Sequence, residues 1–471
     1  MRRLRGTDAL FLALETPAWH QQVGSLLILD SRERPVTYAD VVAGVERRLE
    51  WAPKFMWKVR NVPFGLDRPM WVDEQNLDIH RHVRRASVPN PGGLRETAEV
   101  AGALMSTQLD RDQPLWELWF LEGLSSERVA LLLKYHHCLL DGTEGASLAT
   151  ALLDLDPNAT EPSTPRPSPE AQTAGPELIG LELLSLVAGE LGRRPFRIAR
   201  YLAAQTERLV ADARIAVADN RRAVLGRPIT PFNAAIGPHR ALAFASVALD
   251  DLRAIKSRYG VKVNDVVLAL VASSVRAYLL DLDMLPDVGL VAAVPVSVRG
   301  DGDRSPARVS TMVVSLGTDI DEPLARLRAI NEASAKAMPD TPRAQEIQSL
   351  GNVASPLVLS MALRAIFRTH LMSRAWSTPD TVVSNVPGPE GSLYACGARV
   401  EGAYAASALM EGQGMTITVM SHGGRVDFGL QVDPDLVPDP WLIADRIPGA
   451  VAELLQTTYL IPATTEGPFG A

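Results

Sequence analysis

One break in composition divides this chain of 471 residues into two long stretches. Residues Asp156 to Pro176 are dense in proline, serine and threonine and have no periodic apolar positions, which is typical of a linker between domains. A chain of this length can bury two sizeable cores. The break therefore predicts one domain over 1–157, a Pro-rich linker with crossover helices over 158–228, and a second domain over 229–471.

Both stretches mix helix and strand signals. Before the linker, apolar runs at Gly24 to Leu29 and Val129 to His136 predict strands, whereas Tyr38 to Glu50 and Arg95 to Leu109 predict helices. After the linker the alternation returns, with predicted strands at Ala241 to Leu249, Gly289 to Val298, Thr381 to Asn385, Met415 to Met420 and Val426 to Val432, and predicted helices at Asp250 to Tyr259 and Asn264 to Leu280. The fold class predicted for both halves is mixed α/β.

Charge and cysteine content exclude several classes of protein. Lys and Arg total 47 against 55 Asp and Glu, a net charge of -8, which does not suit a nucleic-acid-binding protein. Only Cys138 and Cys396 occur, which favours a reducing, cytoplasmic compartment over a disulfide framework. The start of the chain lacks the features of a cleaved signal peptide, and no window approaches about 18 uncharged apolar residues, so we expect no membrane-spanning helix.

The segment from Glu177 to Ala223 has apolar residues at helical spacing with arginines scattered through it. Such helices either lie on an anionic membrane surface or pack on their own protein with the arginines in water. The sequence leaves both possibilities open, and any contact with lipid is expected to be peripheral.

The most informative segment runs from Lys134 to Gly142, between an apolar strand and a predicted helix at Thr143 to Leu155. Neighbouring side chains of a strand point to opposite faces, so only one of His136 and His137 can serve a given pocket. An imidazole with an ordinary pKa near ~6.5 is mostly neutral at cellular pH and can accept a proton. We therefore expect one general base here, with the other histidine packed.

Other interpretations of these residues are less specific. Asp141 followed by Glu144 matches a capping box that starts a helix. A zinc site needs a third ligand beside His80 and His82, so no metal site is predicted. Cys138 fits a buried structural thiol better than a nucleophile. No nucleophile elbow, P-loop or Rossmann fingerprint is present.

The segment His136-His137-x-x-x-Asp141-Gly142 resembles the signature of bacterial wax ester synthase/diacylglycerol acyltransferases, a family within the chloramphenicol acetyltransferase and condensation-domain superfamily. Supporting blocks occur along the chain in the family's order: Thr7 to Leu12 with Glu15, Pro114-Leu115-Trp116 with Glu122-Gly123-Leu124, Asn264 to Val267, Val294 to Arg299, and Ser384 to Pro389. Singly each block has a structural explanation, as a turn with a core aromatic, a helix start or a strand end.

The resemblance implies two chloramphenicol-acetyltransferase-like domains with an active-site tunnel between them. It implies that His137 deprotonates the hydroxyl of a diacylglycerol or fatty alcohol, which attacks a long-chain acyl-CoA directly. Acyl-CoA would be a co-substrate, and no permanently bound cofactor is implied. A net charge of -8 also favours an apolar acceptor over an anionic one.

The family pattern implies further roles. Asp141 would pair with Arg299 and clamp the two halves, with Gly142 completing the motif, and Asn264, Asp265, Ser384 and Asn385 would line the substrate or stabilise an oxyanion. Two alternatives remain open: a polyketide-associated or condensation-type acyltransferase of the same fold, and a catalytically idle lipid-binding scaffold. The expected location is the cytoplasm, with peripheral contact to the inner membrane face or lipid droplets left open.

Overall fold

The computed structural model describes residues 2–62, 67–139, 152–159, 161, 173–175, 230–298, 308–337 and 379–457. In these ranges the strands are β1 (Arg2–Arg3), β2 (Gln22–Asp30), β3 (Trp57–Arg60), β4 (Met70–Asp73), β5 (Val83–Ser87), β6 (Trp116–Leu124), β7 (Arg128–His136), β8 (Ala241–Ala248), β9 (Val291–Val298), β10 (Arg308–Ser315), β11 (Thr381–Pro387), β12 (Tyr394–Ala395), β13 (Ala398–Ala406), β14 (Met415–His422) and β15 (Arg425–Val432).

The helices in the same ranges are α1 (Gly6–Leu14), α2 (Tyr38–Arg48), α3 (Ile79–His82), α4 (Leu94–Met105), α5 (Leu249–Tyr259), α6 (Val263–Asp281), α7 (Pro323–Lys336), α8 (Trp441–Ala444) and α9 (Ile447–Thr457). Short 3-10 turns occur at Leu49–Trp51, Pro53–Met56, His137–Leu139 and Pro231–Asn233. The predicted helices at Thr143 to Leu155 and Glu177 to Ala223 lie almost wholly outside the described residues.

Two six-stranded sheets form the body of the protein. The first has the order β12-β13-β2-β7-β6-β5, and the second has the order β10-β9-β11-β14-β15-β8. All residues of β2 except the last are buried, as expected for a strand that is covered on both faces. Strands β14 and β15 form a hairpin, in which Gly423 and Gly424 take the positive φ angles, 49° and 78°, that a tight turn requires.

Each sheet has its own core, and α4 lies between them. The second sheet packs on α5, α6, α7 and α9. One face of the first sheet carries a separate core, which includes Trp116 of β6 and other aromatic residues. A third apolar cluster joins α4 to both sheets, with Met105 of α4 beside Leu26 of the first sheet and Phe244 of the second. The two mixed α/β domains are therefore in direct contact.

Strand β13 crosses from the second half of the sequence into the first sheet. It pairs with β2 from Ala406 opposite Gly24 to Arg399 opposite Asp30. The strands β11 and β14, which lie before and after β12 and β13 in the sequence, both belong to the second sheet. The linear division at residue 229 is thus not followed by the sheets. Part of the linker also contacts the first half, because the amides of Ala174 and Gly175 donate to the carboxylate of Asp73.

One helix differs from the expectation that no segment is apolar enough to span a membrane. By length and hydropathy alone helix α6 could span one, with at most two charged residues in its most apolar window. However, 67% of that window is buried inside the protein, where α6 contacts α5, α7 and α9. Helix α6 is a core helix of the second domain in this structure.

Candidate active site

The candidate base lies where β7 ends. Strand β7 is paired on both sides, with β2 and β6, up to its last residues, and the chain then turns at His137–Leu139. The backbone amide of His137 donates to the carbonyl oxygen of Gln21 over 2.7 Å, which ties the turn to the chain just before β2. The imidazole is therefore attached at the end of an interior strand of the first sheet.

The ring of His137 is packed against an aromatic side chain. Its centroid lies 4.1 Å from that of Phe11, at an interplanar angle of 40°, because α1 packs on the turn. Nδ1 is buried and has no hydrogen-bond partner in the described part of the chain. Burial lowers the pKa of His137 from 6.5 to about 4, so its ring is neutral at cellular pH.

His136 has a different environment, as the sequence predicted for adjacent residues. Its ring is 1% exposed, and its Nδ1 accepts a hydrogen bond from the amide of Cys138 over 3.1 Å. An accepting Nδ1 places the ring proton on Nε2, which lies 3.8 Å from a carboxylate oxygen of Glu15. Burial and the positive charge of Arg111 lower the pKa of His136 well below 6.5. This geometry fits the predicted packing role, in which the neutral ring holds the turn that carries His137.

Several predicted site residues lie outside the described residues. These are Asp141, Gly142 and Arg299. The ion pair expected between Asp141 and Arg299 stays a prediction.

The structure brings together two of the candidate residues in the second domain. Asn264 stands in the first turn of α6 and Asn385 near the end of β11, and the Nδ2 of Asn385 donates to the Oδ1 of Asn264 over 3.4 Å. Both side chains are half-buried, as is Ser384. Asn264 and Asn385 form a polar pair near the end of β11, an interior strand of the second sheet.

Asp265 has structural partners. Its Oδ2 accepts from the amide of Lys262 at the start of α6 and from Nδ2 of Asn331 in α7, over 3.0 and 2.8 Å. The predicted helix start at this position is confirmed. The side chain is 1% exposed, so its observed contacts are those of a helix cap, and a role in lining the substrate stays a prediction.

A hydrogen bond between the sheets lies at the strand position next to Ser384. Ser407, directly after β13, lies 2.7 Å from the hydroxyl of Thr418 in β14, and Thr418 pairs with Ser384 in β11. At the other end of this connection, Ala406 pairs with Gly24 of β2, two positions from the residue opposite His136. The strands that carry both parts of the candidate site therefore meet at the domain junction.

A cavity of about 330 Å³ lies elsewhere. It is lined by Arg128, Arg399, Arg425 and His422 among others. Arg128 begins β7 and His136 ends it, so about eight strand residues, or roughly 26 Å, separate this cavity from the turn at His137. The cavity is distinct from the candidate active site.

The described residues also contain no group of three or more His, Cys, Asp or Glu side chains that could hold a metal ion. His80 is exposed and contacts the Tyr38 hydroxyl, whereas the buried His82 pairs its Nδ1 with the carbonyl oxygen of Trp116. The one nearby histidine pair thus has other partners.

Two family models match the sequence. The wax ester synthase/diacylglycerol acyltransferase catalytic domain matches residues 4–267, and the C-terminal domain of the same family matches residues 307–455. The chain belongs to the wax ester synthase/diacylglycerol acyltransferase family. The resemblance inferred from the motif blocks is confirmed, and the chain is an acyltransferase of the diacylglycerol O-acyltransferase kind.

Curated relatives are similar in sequence to this chain along most of their length. A putative diacylglycerol O-acyltransferase of Mycobacterium tuberculosis is 36% identical over 467 residues, 97% of this chain and 90% of the relative. A probable diacylglycerol O-acyltransferase of the same organism is 32% identical over 90% of this chain and 92% of its own.

Solved structures confirm the predicted fold class. The wax ester synthase/diacylglycerol acyltransferase from Marinobacter aquaeolei VT8 has a TM-score of 0.71 at 29% identity, covering 98% of this chain and 100% of its own. The first condensation domain of the calcium-dependent antibiotic synthetase has a TM-score of 0.52 at 14% identity, covering 98% of this chain and 97% of its own, and it shares the fold alone.

The structure adds residues to the site that the sequence did not single out. Phe11 and Glu15 occur in a family block, yet only the structure shows them against His137 and His136. Gln21 has no motif around it and is located by the strand register alone. Phe11 is the one aromatic residue of the block from Thr7 to Leu12, which is the sequence feature that could have singled it out.

Proposed function

We propose that this enzyme transfers an acyl group from a long-chain acyl-CoA to the hydroxyl of diacylglycerol or a long-chain alcohol, with His137 as general base. The products are triacylglycerol, wax ester or both. The observation that supports this proposal best is the position of His137 at the end of β7, with its ring packed on Phe11 and its amide tied to Gln21. Burial lowers the pKa of His137, so the ring is neutral and can accept a proton over the physiological range.

The proposed reaction is a direct transfer. The acceptor oxygen attacks the thioester carbonyl carbon as His137 takes the hydroxyl proton, a C–O bond forms, and the C–S bond then breaks. The proton passes from the imidazole to the departing thiolate of coenzyme A. A base of such low pKa supplies only part of the acceleration, so positioning of the two substrates and hydrogen bonds to the oxyanion must supply the rest.

The environment of Cys138 favours direct transfer over an acyl-enzyme. Its thiol is fully buried, and burial raises the pKa of Cys138 well above its usual value, so it stays protonated. A buried neutral thiol is a poor nucleophile. The hydroxyl of the acceptor is therefore the attacking group in this proposal.

The substrate classes rest on the family. The relatives carry the name diacylglycerol O-acyltransferase, and the solved relative is called a wax ester synthase/diacylglycerol acyltransferase. Acyl-CoA is the proposed co-substrate, and Asn264, Ser384 and Asn385 are proposed to line the acceptor or donor. We further propose a cytoplasmic location with peripheral contact to a membrane or lipid droplet, supported by the two free cysteines and by the basic composition of 177–223.

The test is an assay of thiol release with purified protein, palmitoyl-CoA and either dipalmitoylglycerol or hexadecanol. His137→Ala should lower turnover by about 10²- to 10⁴-fold, while His80→Ala, a change at an exposed histidine, should not. Full activity of His137→Ala would reject the proposed base. Lipid binding without any thiol release by the unmodified protein would instead favour the idle scaffold.

A further inference from the structure

Unpaired polar atoms concentrate around the candidate base. In the described part of the chain, Gln21 Nε2 and His137 Nδ1 are both buried and have no hydrogen-bond partner. Buried polar groups in native proteins are nearly always paired, so two such atoms on neighbouring residues indicate a place where a bound molecule supplies the missing partners.

The backbone places Gln21 opposite His137 where the β2–β7 ladder ends. Gln22 lies opposite His136 in the β2–β7 pair, and the hydrogen bond from the amide of His137 to the carbonyl oxygen of Gln21 continues this register by one step. Gln21 directly precedes β2 and His137 directly follows β7. Residues opposed in this way lie close together, which brings Gln21 near the base.

The neighbouring glutamine points the other way. Gln22 shares its face with His136, and its Nε2 donates to the carbonyl oxygen of Thr107 over 3.1 Å. Both glutamines are nearly inaccessible, at 4% and 2% exposure. The strand therefore presents one amide to the face of His137 and one to the opposite face, which makes Gln22 a natural control.

We propose that the side-chain amide of Gln21 is a catalytic hydrogen-bond donor, binding the thioester carbonyl oxygen as it becomes an oxyanion. This inference rests on the proposed function and adds a residue to it. A desolvated, preorganised N–H group near the developing negative charge is the kind of donor that stabilises such a transition state. Its position beside the base suits a carbonyl that must meet an acceptor hydroxyl held by His137.

A competing role is distinguishable by chemistry. If the oxygen of the Gln21 amide instead accepted a proton from Nδ1 of His137, a carboxylate at position 21 would keep that contact and stabilise the ring. For a donor to an oxyanion, a carboxylate removes the N–H group and adds repulsion. The two roles therefore predict opposite behaviour for Gln21→Glu.

The experiment compares Gln21→Met, Gln21→Glu and Gln22→Met with the unmodified enzyme, using palmitoyl-CoA and hexadecanol. Methionine keeps the length and volume of the side chain and has no donor. We expect Gln21→Met to lower kcat by about 10²- to 10³-fold with a small change in KM, Gln21→Glu to lose at least as much, and Gln22→Met to keep most activity. Melting temperatures and circular dichroism of all four proteins establish that they are folded.

Near-normal turnover of Gln21→Glu beside a slow Gln21→Met would overturn the donor role and assign Gln21 to positioning. Equal losses in Gln21→Met and Gln22→Met would also overturn it, because a general disturbance of the strand would explain both. If both Gln21 variants are fully active while His137→Ala is inactive, the inference fails and the proposed function stands. If His137→Ala is itself active, the proposed function fails.

Discussion

Removing the aromatic ring that covers His137 should shift the pH dependence of catalysis. Phe11 lies 4.1 Å from the imidazole, ring to ring. Burial is the leading cause of the lowered pKa of His137, so Phe11→Ala, which admits water to one side of the ring, should raise that pKa toward 6.5. Phe11→Leu keeps an apolar contact and serves as the matched control.

The size of the effect follows from the two pKa values. With a pKa of about 4, about 97% of His137 is neutral at pH 5.5, whereas a histidine at the ordinary value of ~6.5 would be only about 9% neutral. The unmodified enzyme should therefore keep kcat/KM nearly constant from pH 8 down to about pH 5. Phe11 is one of several groups that exclude water from the ring, so Phe11→Ala should raise the pKa of His137 by on the order of one unit. The acid limb of the pH profile should move up by the same amount.

The assay measures kcat/KM for palmitoyl-CoA between pH 4.5 and 8 in the range where the protein is folded, with a dipyridyl disulfide that reports thiol at low pH. The pH dependence of kcat/KM reports the pKa values of the free enzyme, so it reports the pKa of His137 without substrate. An acid limb centred near 6.5 in the unmodified enzyme would refute the desolvated base. A limb that does not move in Phe11→Ala would refute the role of Phe11 in that desolvation.

Three further predictions concern stability. His20, His82 and His136 are at most 3% exposed and burial lowers the pKa of each, so the unfolded chain binds more protons below pH 6.5. The free energy of unfolding measured in urea should therefore fall between pH 7.5 and 5.5, by up to about 1.4 kcal/mol per pH unit and histidine, and equal values at the two pH values would contradict this. Thr418→Val removes the hydrogen bond to Ser407 and should cost about 1–2 kcal/mol in urea unfolding, and no loss would show that this contact is not needed. Gly429→Ala places a Cβ 2.1 Å from the carbonyl oxygen of Ala405 and should lower the melting temperature sharply, whereas Gly449→Ala in α9, with open space around it, should not; equal melting temperatures would contradict the close approach.

Local patterns were sufficient for most elements near the site. The apolar run that ends at His136 predicted β7, because a strand buried on both faces needs no polar alternation. The start of α6 followed from Asn264-Asp265, whose carboxylate does cap the helix. The two adjacent histidines were also expected to differ in environment, and they do, with His136 ending the strand and His137 beginning the turn. These features depend on residues within a few positions of each other.

The partners of strands and rings could not be predicted in this way. Nothing in the composition of Ala398–Ala406 indicates that it leaves its own half of the chain to pair with β2, because strand propensity is local and the choice of partner depends on the whole fold. The position of Phe11 over His137 likewise depends on how α1 packs on a turn more than a hundred residues away. The register that pairs Gln21 with His137 also belongs to this class.

Strand β13 links the two halves of the chain, and this link should affect the distance between catalytic groups. His137 is held by the first sheet, whereas Asn264 and Asn385 are held by the second, so their separation depends on contacts between the sheets. In the described residues those contacts include the Ser407–Thr418 hydrogen bond and the apolar cluster under α4. Because a shift of about 1 Å between catalytic groups can cost on the order of 10²-fold in rate, the junction at β13 should control turnover.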